Sequence, residues 1–287
     1  TTRQRRLDIN YAEISLDVLL PKEALSLLRG ILGENDRRID KEIETTKTLC
    51  KWLGYLPLGL ELVGRYLVEG QDVSMADMLQ AVTWEKINPK TKQVGELLSL
   101  FSPDEIAWKY VESVSESLNW TKKEVNEAKK LLYKRHLIER LKEGEANYKI
   151  HPLIREFLRE RLGEVGKVNE LKQAFTNTFI EIAQTIPNSP ILELINSIKN
   201  AIPHLTEVAE NLIDAVSDEN LIWAFEGLAR FYEGQGLYAL AQPWYQQSVS
   251  IVKSRLGVYH PEYTASLNNL ALLYYSQGKY EQAEPLK

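Results

Sequence analysis

Apolar residues recur at intervals of three and four along nearly the whole chain, which predicts a mainly helical protein. Pro21 opens one such segment. Gly54-Tyr55-Leu56-Pro57 separates the next two, and Gly70 ends the second of them. Proline suits the first turn of a helix and glycine suits its end. Strands do not alternate with helices along the sequence, so a parallel sheet is not expected. The predicted fold class is therefore all-α, apart from one short region.

That region follows a polar, proline-containing stretch at 88–94, which we interpret as a linker. Ser102-Pro103 predicts the start of a helix, and Thr121 with Glu124 predicts the capping box of another. The segments "LIERLKEG" and "EANYKIH" then predict a two-stranded hairpin that turns near Gly144. Helices, a small β-wing and a further helix follow one another in an order that resembles a winged helix.

His151 lies where this hairpin passes into the next helix. Tyr148-Lys149-Ile150 alternates like the end of a strand, and Pro152 fits the first turn of a helix, where its missing N–H costs nothing. A histidine at such a junction lies beside free backbone N–H groups, which suits a bound anion. The alternative, which the residues leave open, is a histidine that hydrogen-bonds to a nearby carbonyl.

The last part of the chain contains a repeat with an offset of 42 residues, in which "LARFYEGQGLYALAQPWY" aligns with "LALLYYSQGKYEQAEPLK". Small residues at Ala229 and Ala241 allow two helices to approach closely, and Gly236 supplies the turn between them. The identities pair Leu228, Ala229, Tyr232, Gln235, Gly236, Tyr238, Ala241 and Pro243 with Leu270, Ala271, Tyr274, Gln277, Gly278, Tyr280, Ala283 and Pro285. Upstream, residues 168–215 predict amphipathic helices broken at 186–190 and 202–204.

Composition narrows the class of protein. The net charge of −5 argues against a general polyanion binder, and Cys50 is the only cysteine, so an internal disulfide is excluded and a reducing, cytoplasmic location is expected. No apolar run approaches the roughly 18 residues of a membrane span. The four histidines show no metal-ligand spacing, so no metal site is expected. The chain starts without methionine and stops within a helical pattern, so we expect a fragment.

Two family resemblances follow from these motifs. Residues 221–287, with "HPEYTASLNNLALLYYSQGKYEQAEPL", resemble tetratricopeptide repeats of the kinesin-light-chain type. Upstream, "TTRQ" at 1–4, "LGYLPLGLELVGRYL" at 53–67 and "YKIHPLIREFL" at 148–158 resemble the back half of an NB-ARC module, the nucleotide switch of bacterial STAND-class signalling proteins. Many plant members have Met-His-Asp at the third motif, whereas this chain has Ile150-His151-Pro152, so the aspartate role is absent.

The NB-ARC resemblance implies a role in ADP and ATP binding for three residues. His151 would contact the β-phosphate of ADP and hold the off state, Pro57 would stack near the adenine, and Arg3 would face the γ-phosphate. Each residue also has an alternative role that needs no nucleotide. His151 would be a structural residue at the strand–helix junction, Pro57 would separate two packed helices, and Arg3 would be a solvated arginine. In the repeats, the resemblance implies that one of Asn268 and Asn269, with Asn269 preferred, is presented to a peptide backbone, because an amide both donates and accepts hydrogen bonds. The other would be an ordinary polar residue of the helix face.

No GxxxxGK[ST] loop is present in the sequence, so no catalysis is expected from this chain alone. The resemblance implies a domain order of NB-ARC remainder with a helical ARC subdomain (1–87), winged helix (88–166), helical linker (167–220) and tetratricopeptide solenoid (221–287). The expected function is an ADP/ATP-dependent switch that recognises a protein or peptide through the repeat groove and self-associates on activation.

Two alternatives remain open: a repeat scaffold without nucleotide, or a winged-helix regulator that binds DNA through the basic segment 121–142. Neither nucleic acid nor a membrane is the expected partner.

Overall fold

The computed structural model describes residues 19–70, 72–82, 87–135, 137–141, 146–162 and 165–286. The chain separates into two compact units, Thr1–Ile87 and Asn88–Lys287. Both units are built from helices, and each described strand has only two or three residues. The prediction of a mainly all-α fold is confirmed.

The N-terminal unit contains five described helices. They are α1 (Pro21–Leu32), α2 (Arg38–Lys41), α3 (Ile43–Trp52), α4 (Pro57–Glu69) and α5 (Met75–Val82). The predicted start at Pro21 and the predicted end at Gly70 are confirmed, because Pro21 begins α1 and Gly70 caps α4. Gly54 and Tyr55 both have positive φ angles, +63° and +56°, and this left-handed turn reverses the chain between α3 and α4.

Arg38 holds the end of α4 in place. Its guanidinium donates hydrogen bonds to the carbonyl oxygens of Leu67 (2.7 Å), Gly70 (3.0 Å) and Val73 (2.8 Å). These carbonyls lie at or beyond the last turn of the helix, where helical partners are lacking. Hydrogen bonds from Arg38 also hold the pKa of the Asp36 carboxyl below its usual value.

The C-terminal unit begins with a helix where a linker was predicted. Helix α6 spans Pro89–Leu98, and the Asn88 side chain caps it by accepting a hydrogen bond from the Thr91 N–H at 2.8 Å. The linker interpretation of 88–94 was therefore wrong. An Asn-Pro pair is also typical of a helix start, in which asparagine is the cap and proline occupies the first turn. The buried Val94 and Leu97 supply the apolar face of this helix.

The helix predicted from Ser102-Pro103 begins later. Helix α7 spans Trp108–Ser117, and it is preceded by strand β1 (Ile106–Ala107). The Ser102 hydroxyl donates to Asp104 at 2.6 Å, so these residues close a local turn instead of capping a helix. Ile106 and Ala107 are buried and pair with a later strand, and that long-range pairing overrides the local start signal.

Helix α8 (Lys122–Lys134) starts with the predicted capping box, since Thr121 and Glu124 exchange side-chain and backbone hydrogen bonds. The hairpin is also confirmed, with strands β2 (Glu139–Arg140) and β3 (Asn147–Lys149), although its predicted turn near Gly144 lies outside the described residues. Strand β1 joins this hairpin, giving an antiparallel sheet in the order β1-β3-β2, with Ile106 opposite Tyr148.

The remaining α-helices complete the C-terminal unit, and those from α10 onwards form a helical array. They are α9 (Pro152–Arg159), α10 (Val165–Gln184), α11 (Leu192–Ile198), α12 (Ile202–Asn211), α13 (Trp223–Glu233), α14 (Tyr238–Arg255), α15 (Pro261–Ser276) and α16 (Tyr280–Ala283). The predicted break at 186–190 separates α10 from α11. The break predicted at 202–204 is instead the start of α12, with Pro203 in its first turn.

Three aromatic rings surround a buried histidine in the core of this unit, and a fourth packs behind them. The His204 ring of α12 lies 4.9 Å from Phe101, 5.3 Å from Phe179 and 6.3 Å from Tyr110, measured between ring centroids. Phe175 packs against Phe101 at 5.0 Å. The Ser102 N–H donates to His204 Nδ1 at 3.2 Å. Burial lowers the pKa of His204 from 6.5 to about 4, and the nearby Asp104 offsets this only in part.

The two aligned segments fold as the repeat predicted. Gly236 and Gly278 adopt left-handed φ angles of +73° and +72° in the turns after α13 and α15. The small residues Ala229, Ala241, Ala271 and Ala283 are all buried in one apolar cluster with Tyr245, Leu270, Leu273 and Tyr274. Small side chains at the helix crossings thus let larger neighbours fill the interface, as the sequence indicated.

Helices α10 and α13 approach so closely that their contact requires glycine. A Cβ atom on Gly227 would lie 2.5 Å from the Cβ atom of Ala183. We therefore expect Gly227→Ala to lower the free energy of unfolding by about 1–3 kcal/mol, the usual cost of overpacking. Chemical denaturation would measure this loss.

The matched control for this prediction is the double variant Gly227→Ala, Ala183→Gly, which moves the methyl group from one helix to the other. It should be more stable than the sum of the two single changes predicts. Additive effects would show that the two positions are not in contact.

His204 predicts a pH dependence of stability. Its folded pKa is depressed, so the stability associated with the neutral ring is complete above pH 6.5 and is lost as the pH falls towards 4. At about 1.4 kcal/mol per pKa unit, the loss is about 3 kcal/mol. His204→Asn should remove this part of the loss, because Oδ1 can still accept the Ser102 N–H but does not titrate.

Denaturation of both proteins between pH 7 and 4 checks this, with NMR titration of the His204 ring as the direct measure. Carboxyl groups titrate in both proteins and cancel in the comparison. Parallel stability curves, or a ring that titrates near pH 6.5, would contradict the prediction.

Candidate functional site

The structure places His151 at the predicted junction between β3 and α9. Its carbonyl oxygen accepts the first hydrogen bond of the helix, from the Arg155 N–H at 2.9 Å, and Pro152 is the first helical residue. The His151 side chain is half-buried. The preceding Ile150 is completely buried, so the junction is anchored in the core while the imidazole remains partly accessible.

A second histidine–proline pair in the chain shows the structural alternative. His260 precedes Pro261 at the start of α15, and its exposed ring accepts a hydrogen bond from the Glu262 N–H at 3.3 Å through Nδ1. A histidine at this position therefore caps a helix without any ligand. His151 and His260 form a natural pair for comparison, because their local sequence is alike and their surroundings differ.

Helix α9 connects His151 to the helical array. Arg155 and Arg159, one turn apart on α9, both reach the Glu207 carboxylate of α12, at 2.7 and 3.0 Å. Arg155 and Glu207 are largely buried, and Arg159 also donates to the Ser99 carbonyl at 3.0 Å. Breaking such a buried ion pair is costly because it leaves an uncompensated charge. The position of α9 is therefore tied to that of α12.

The other two residues of the predicted nucleotide site lie in the N-terminal unit. Pro57 is the first residue of α4, directly after the left-handed turn at Gly54 and Tyr55, and it is half-buried. Arg3 lies outside the described residues. The nucleotide role of all three residues stays a prediction.

The two asparagines of the repeat differ in their surroundings. Asn269 on α15 donates to the Glu226 carboxylate of α13 at 2.7 Å, whereas Asn268 is exposed. Asn268, Leu272 and Tyr275 lie at i, i+4 and i+7, so they share one face of α15, and all three are exposed. This face, which we call the α15 face, combines an amide with two large apolar side chains.

Glu226 is a functional candidate that the sequence analysis missed. It is 1% exposed, and besides Asn269 it pairs with Arg230 at 2.8 Å. Burial raises the pKa of its carboxyl, while Arg230 and Asn269 oppose that shift. The one available signal was its alignment with Asn268 at the repeat offset, inside the otherwise apolar stretch "WAFEGLARF".

The exposed face of α8 is basic. Lys123, Lys130 and Lys134 are exposed, and none has an ion pair within the part of the chain that the structure describes. Val125, Ala128 and Leu132 bury the opposite face of the helix. Glu127 is the exposed acidic residue between the lysines.

Two kinds of feature are absent from the described residues. Among them, no group of three or more histidine, cysteine, aspartate or glutamate side chains could hold a metal ion. None of the described helices is long and apolar enough to span a membrane.

Comparison with known families identifies two regions. Residues 82–167 match the family described as Domain of unknown function (DUF7779), which covers α6 to α9 and the small sheet. No curated protein and no solved structure matches the chain. Residues 220–286 match the family described as Tetratricopeptide repeat, so α13 to α16 form a tetratricopeptide repeat region, a class that generally mediates protein–protein interaction.

Proposed function

We propose that this chain is the sensing and recognition part of an ADP/ATP-dependent switch, in which the tetratricopeptide region selects a protein partner. Three features support it: the position of His151 at the start of α9, the ion pairs from α9 to α12, and the packing of α12 against α13, the first helix of the repeats. The order helix, strand, helix, helix, strand, strand from α6 to β3 is typical of a winged helix and agrees with the proposed origin of this region.

The observation that carries the proposal is the junction itself. The β-phosphate of ADP is an anion, and it would lie beside the half-buried imidazole of His151 at the N-terminus of α9, where backbone N–H groups and the helix dipole favour negative charge. ATP or an empty site would change that contact. Because Arg155 and Arg159 bind Glu207, a displacement of α9 would be passed to α12.

Partner recognition is assigned to the α15 face. Asn268 supplies an amide that donates to and accepts from a peptide backbone, and Leu272 and Tyr275 supply apolar contact area. Asn269, by contrast, orients Glu226. A partner that prefers one nucleotide state would shift the switch by its differential affinity for the two states.

His151→Ala tests the switch. The variant and the wild type are purified from the complete coding sequence, denatured, and assayed for released ADP and ATP. The wild type should carry ADP. The variant should lose it or carry ATP instead, because removal of one charge-assisted hydrogen bond weakens binding by roughly 10- to 100-fold.

His260→Ala is the matched control and should retain the wild-type nucleotide, since His260 caps a helix of the repeat region. If no protein carries nucleotide, or if His151→Ala keeps its ADP, the switch proposal fails. The chain would then be regarded as a repeat scaffold.

A second candidate function is binding of duplex nucleic acid, and the basic face of α8 is the observation that favours it. The exposed lysines 123, 130 and 134 recur over three turns, a spacing that suits phosphate contacts along a groove. This helix would then act independently of His151.

The triple variant Lys123→Ala, Lys130→Ala, Lys134→Ala tests this candidate. If these lysines contact phosphates, the slope of log K against log salt for a duplex should become shallower by about 3, because each phosphate contact contributes about 0.9. Fluorescence anisotropy over a salt series measures the slope. The matched control is a second triple variant, which changes the net charge by the same amount and should leave the slope unaltered. It carries Lys22→Ala, Lys41→Ala and Lys51→Ala. Duplex binding that is absent, or equal in all three proteins, excludes this candidate.

A further inference from the structure

A polar groove of about 600 Å³ lies along α10. One wall is α10 itself, and the other is formed by the segment 214–220 and Arg255 at the end of α14. The α10 wall lies mostly between the two regions that match known families, which cover residues 82–167 and 220–286. The volume falls within the range of about 300–1,000 Å³ that is usual for ligand sites.

The wall opposite α10 is held in place by hydrogen bonds and one ion pair from Arg255. Arg255 donates to the carbonyl oxygens of Ile213 (3.0 Å) and Val216 (2.7 Å), and its Nε lies 2.7 Å from Asp218. Thr176 of α10 is completely buried, and its hydroxyl oxygen lies 3.5 Å from the Ala215 carbonyl oxygen. The groove is thus preformed, which lowers the entropic cost of binding a ligand.

The α10 wall presents hydrogen-bonding groups that have no protein partner. Gln173, Asn177 and Glu181 are exposed at i, i+4 and i+8, and none makes a side-chain hydrogen bond or ion pair within the described residues. Gln184 continues the row and donates to Asn220 at 3.0 Å across the groove. Amide side chains can both donate and accept, so this row can pair with alternating N–H and C=O groups.

The spacing of the row matches an extended polypeptide. Successive members four residues apart on a helix rise by about 6 Å. Two residues of an extended chain rise by about 6.6 Å. Gln173 and Asn177 would therefore meet alternate peptide units of a strand lying along α10, and Glu181 lies one such step further on. From Gln173 to Gln184 the row is about 17 Å long, which corresponds to about five extended residues.

The charge of the groove selects the side chains of such a ligand. Glu181 and Asp214 line it without ion pairs in the described part of the chain. The cation among its lining residues, Arg255, is engaged by Asp218 and two carbonyl groups. The groove therefore carries uncompensated negative charge, which favours lysine or arginine side chains on the ligand.

We propose that this groove binds an extended polypeptide segment of about five residues that carries lysine or arginine. The site is separate from the α15 face and does not depend on a nucleotide. Gln173 and Asn177 bind the backbone of the segment, and Glu181 and Asp214 bind its cationic side chains.

The probe is a fluorescent heptapeptide of alternating alanine and lysine with blocked ends, titrated into the full chain and followed by anisotropy. A glutamate counterpart should not bind. A peptide with proline in place of alanine keeps the charge but lacks those backbone N–H groups, and it should bind at least about fivefold more weakly. The side-chain NH₂ signals of Gln173 and Asn177 should shift in ¹⁵N spectra when the lysine peptide is added.

Variants separate this site from general attraction to an acidic protein. Asn177→Ala should weaken binding of the lysine peptide at least about fivefold, and Glu181→Gln should weaken it and reduce its salt dependence. Asn188→Ala changes an exposed amide outside the groove lining and should have no effect. The proposal is overturned if the lysine peptide does not bind, if the proline peptide binds equally well, or if Asn177→Ala and Glu181→Gln bind like the wild type.

Discussion

The C-terminal unit depends on the packing of α12 against the region that carries the small sheet. His204, Phe101, Phe179 and Tyr110 form one aromatic core, and the Ser102 N–H closes it from the loop before β1. A neutral imidazole can sit there because burial lowers its pKa below the physiological range. The polar imidazole restricts how α12 packs here, since the buried Nδ1 atom needs a hydrogen-bond donor and the Ser102 N–H supplies it.

A second contact lies beside this core and is ionic. Glu207 lies one turn from His204 on α12, and its carboxylate forms ion pairs with Arg155 and Arg159 of α9. The aromatic core fixes where α12 lies, and the arginines fix α9 against it. Partly buried ion pairs need correct geometry to offset desolvation, so the three side chains restrict the relative positions of the two helices.

Features encoded by neighbouring residues could be predicted from the sequence, and features encoded by distant residues could not. The capping box at Thr121, the turns at Gly236 and Gly278, and the position of His151 follow from residues within a few positions of each other. Ser102-Pro103 does not start a helix because strand β1 pairs with β3, about forty residues later, and long-range pairing overrides a local cap. At 88–94, Asn-Pro is as good a helix start as a linker, and only the buried partners of Val94 and Leu97 decide between them.

The same distinction applies to the candidate sites. The pair Glu226 and Asn269 joins residues 43 positions apart, and no local pattern reveals it. The polar row on α10 resembles any solvated helix face until segment 214–220 forms the opposite wall of a groove. Asn268 and Asn269 were predicted together from the family resemblance, and only the contact with Glu226 distinguishes the engaged Asn269 from the exposed Asn268.

The close approach of α10 to α13 extends the repeat array beyond the region that matches the repeat family. In a solenoid, each helical pair is stabilised mainly by its neighbours, so an array can unravel from a loosely attached end. Here the first repeat contacts α10 through Gly227 and Ala183, and α10 shares the aromatic core through Phe175 and Phe179. The amides of α13 should consequently exchange with solvent only when that core opens, which makes the start of the repeat array part of the same cooperative folding unit as the region carrying His151.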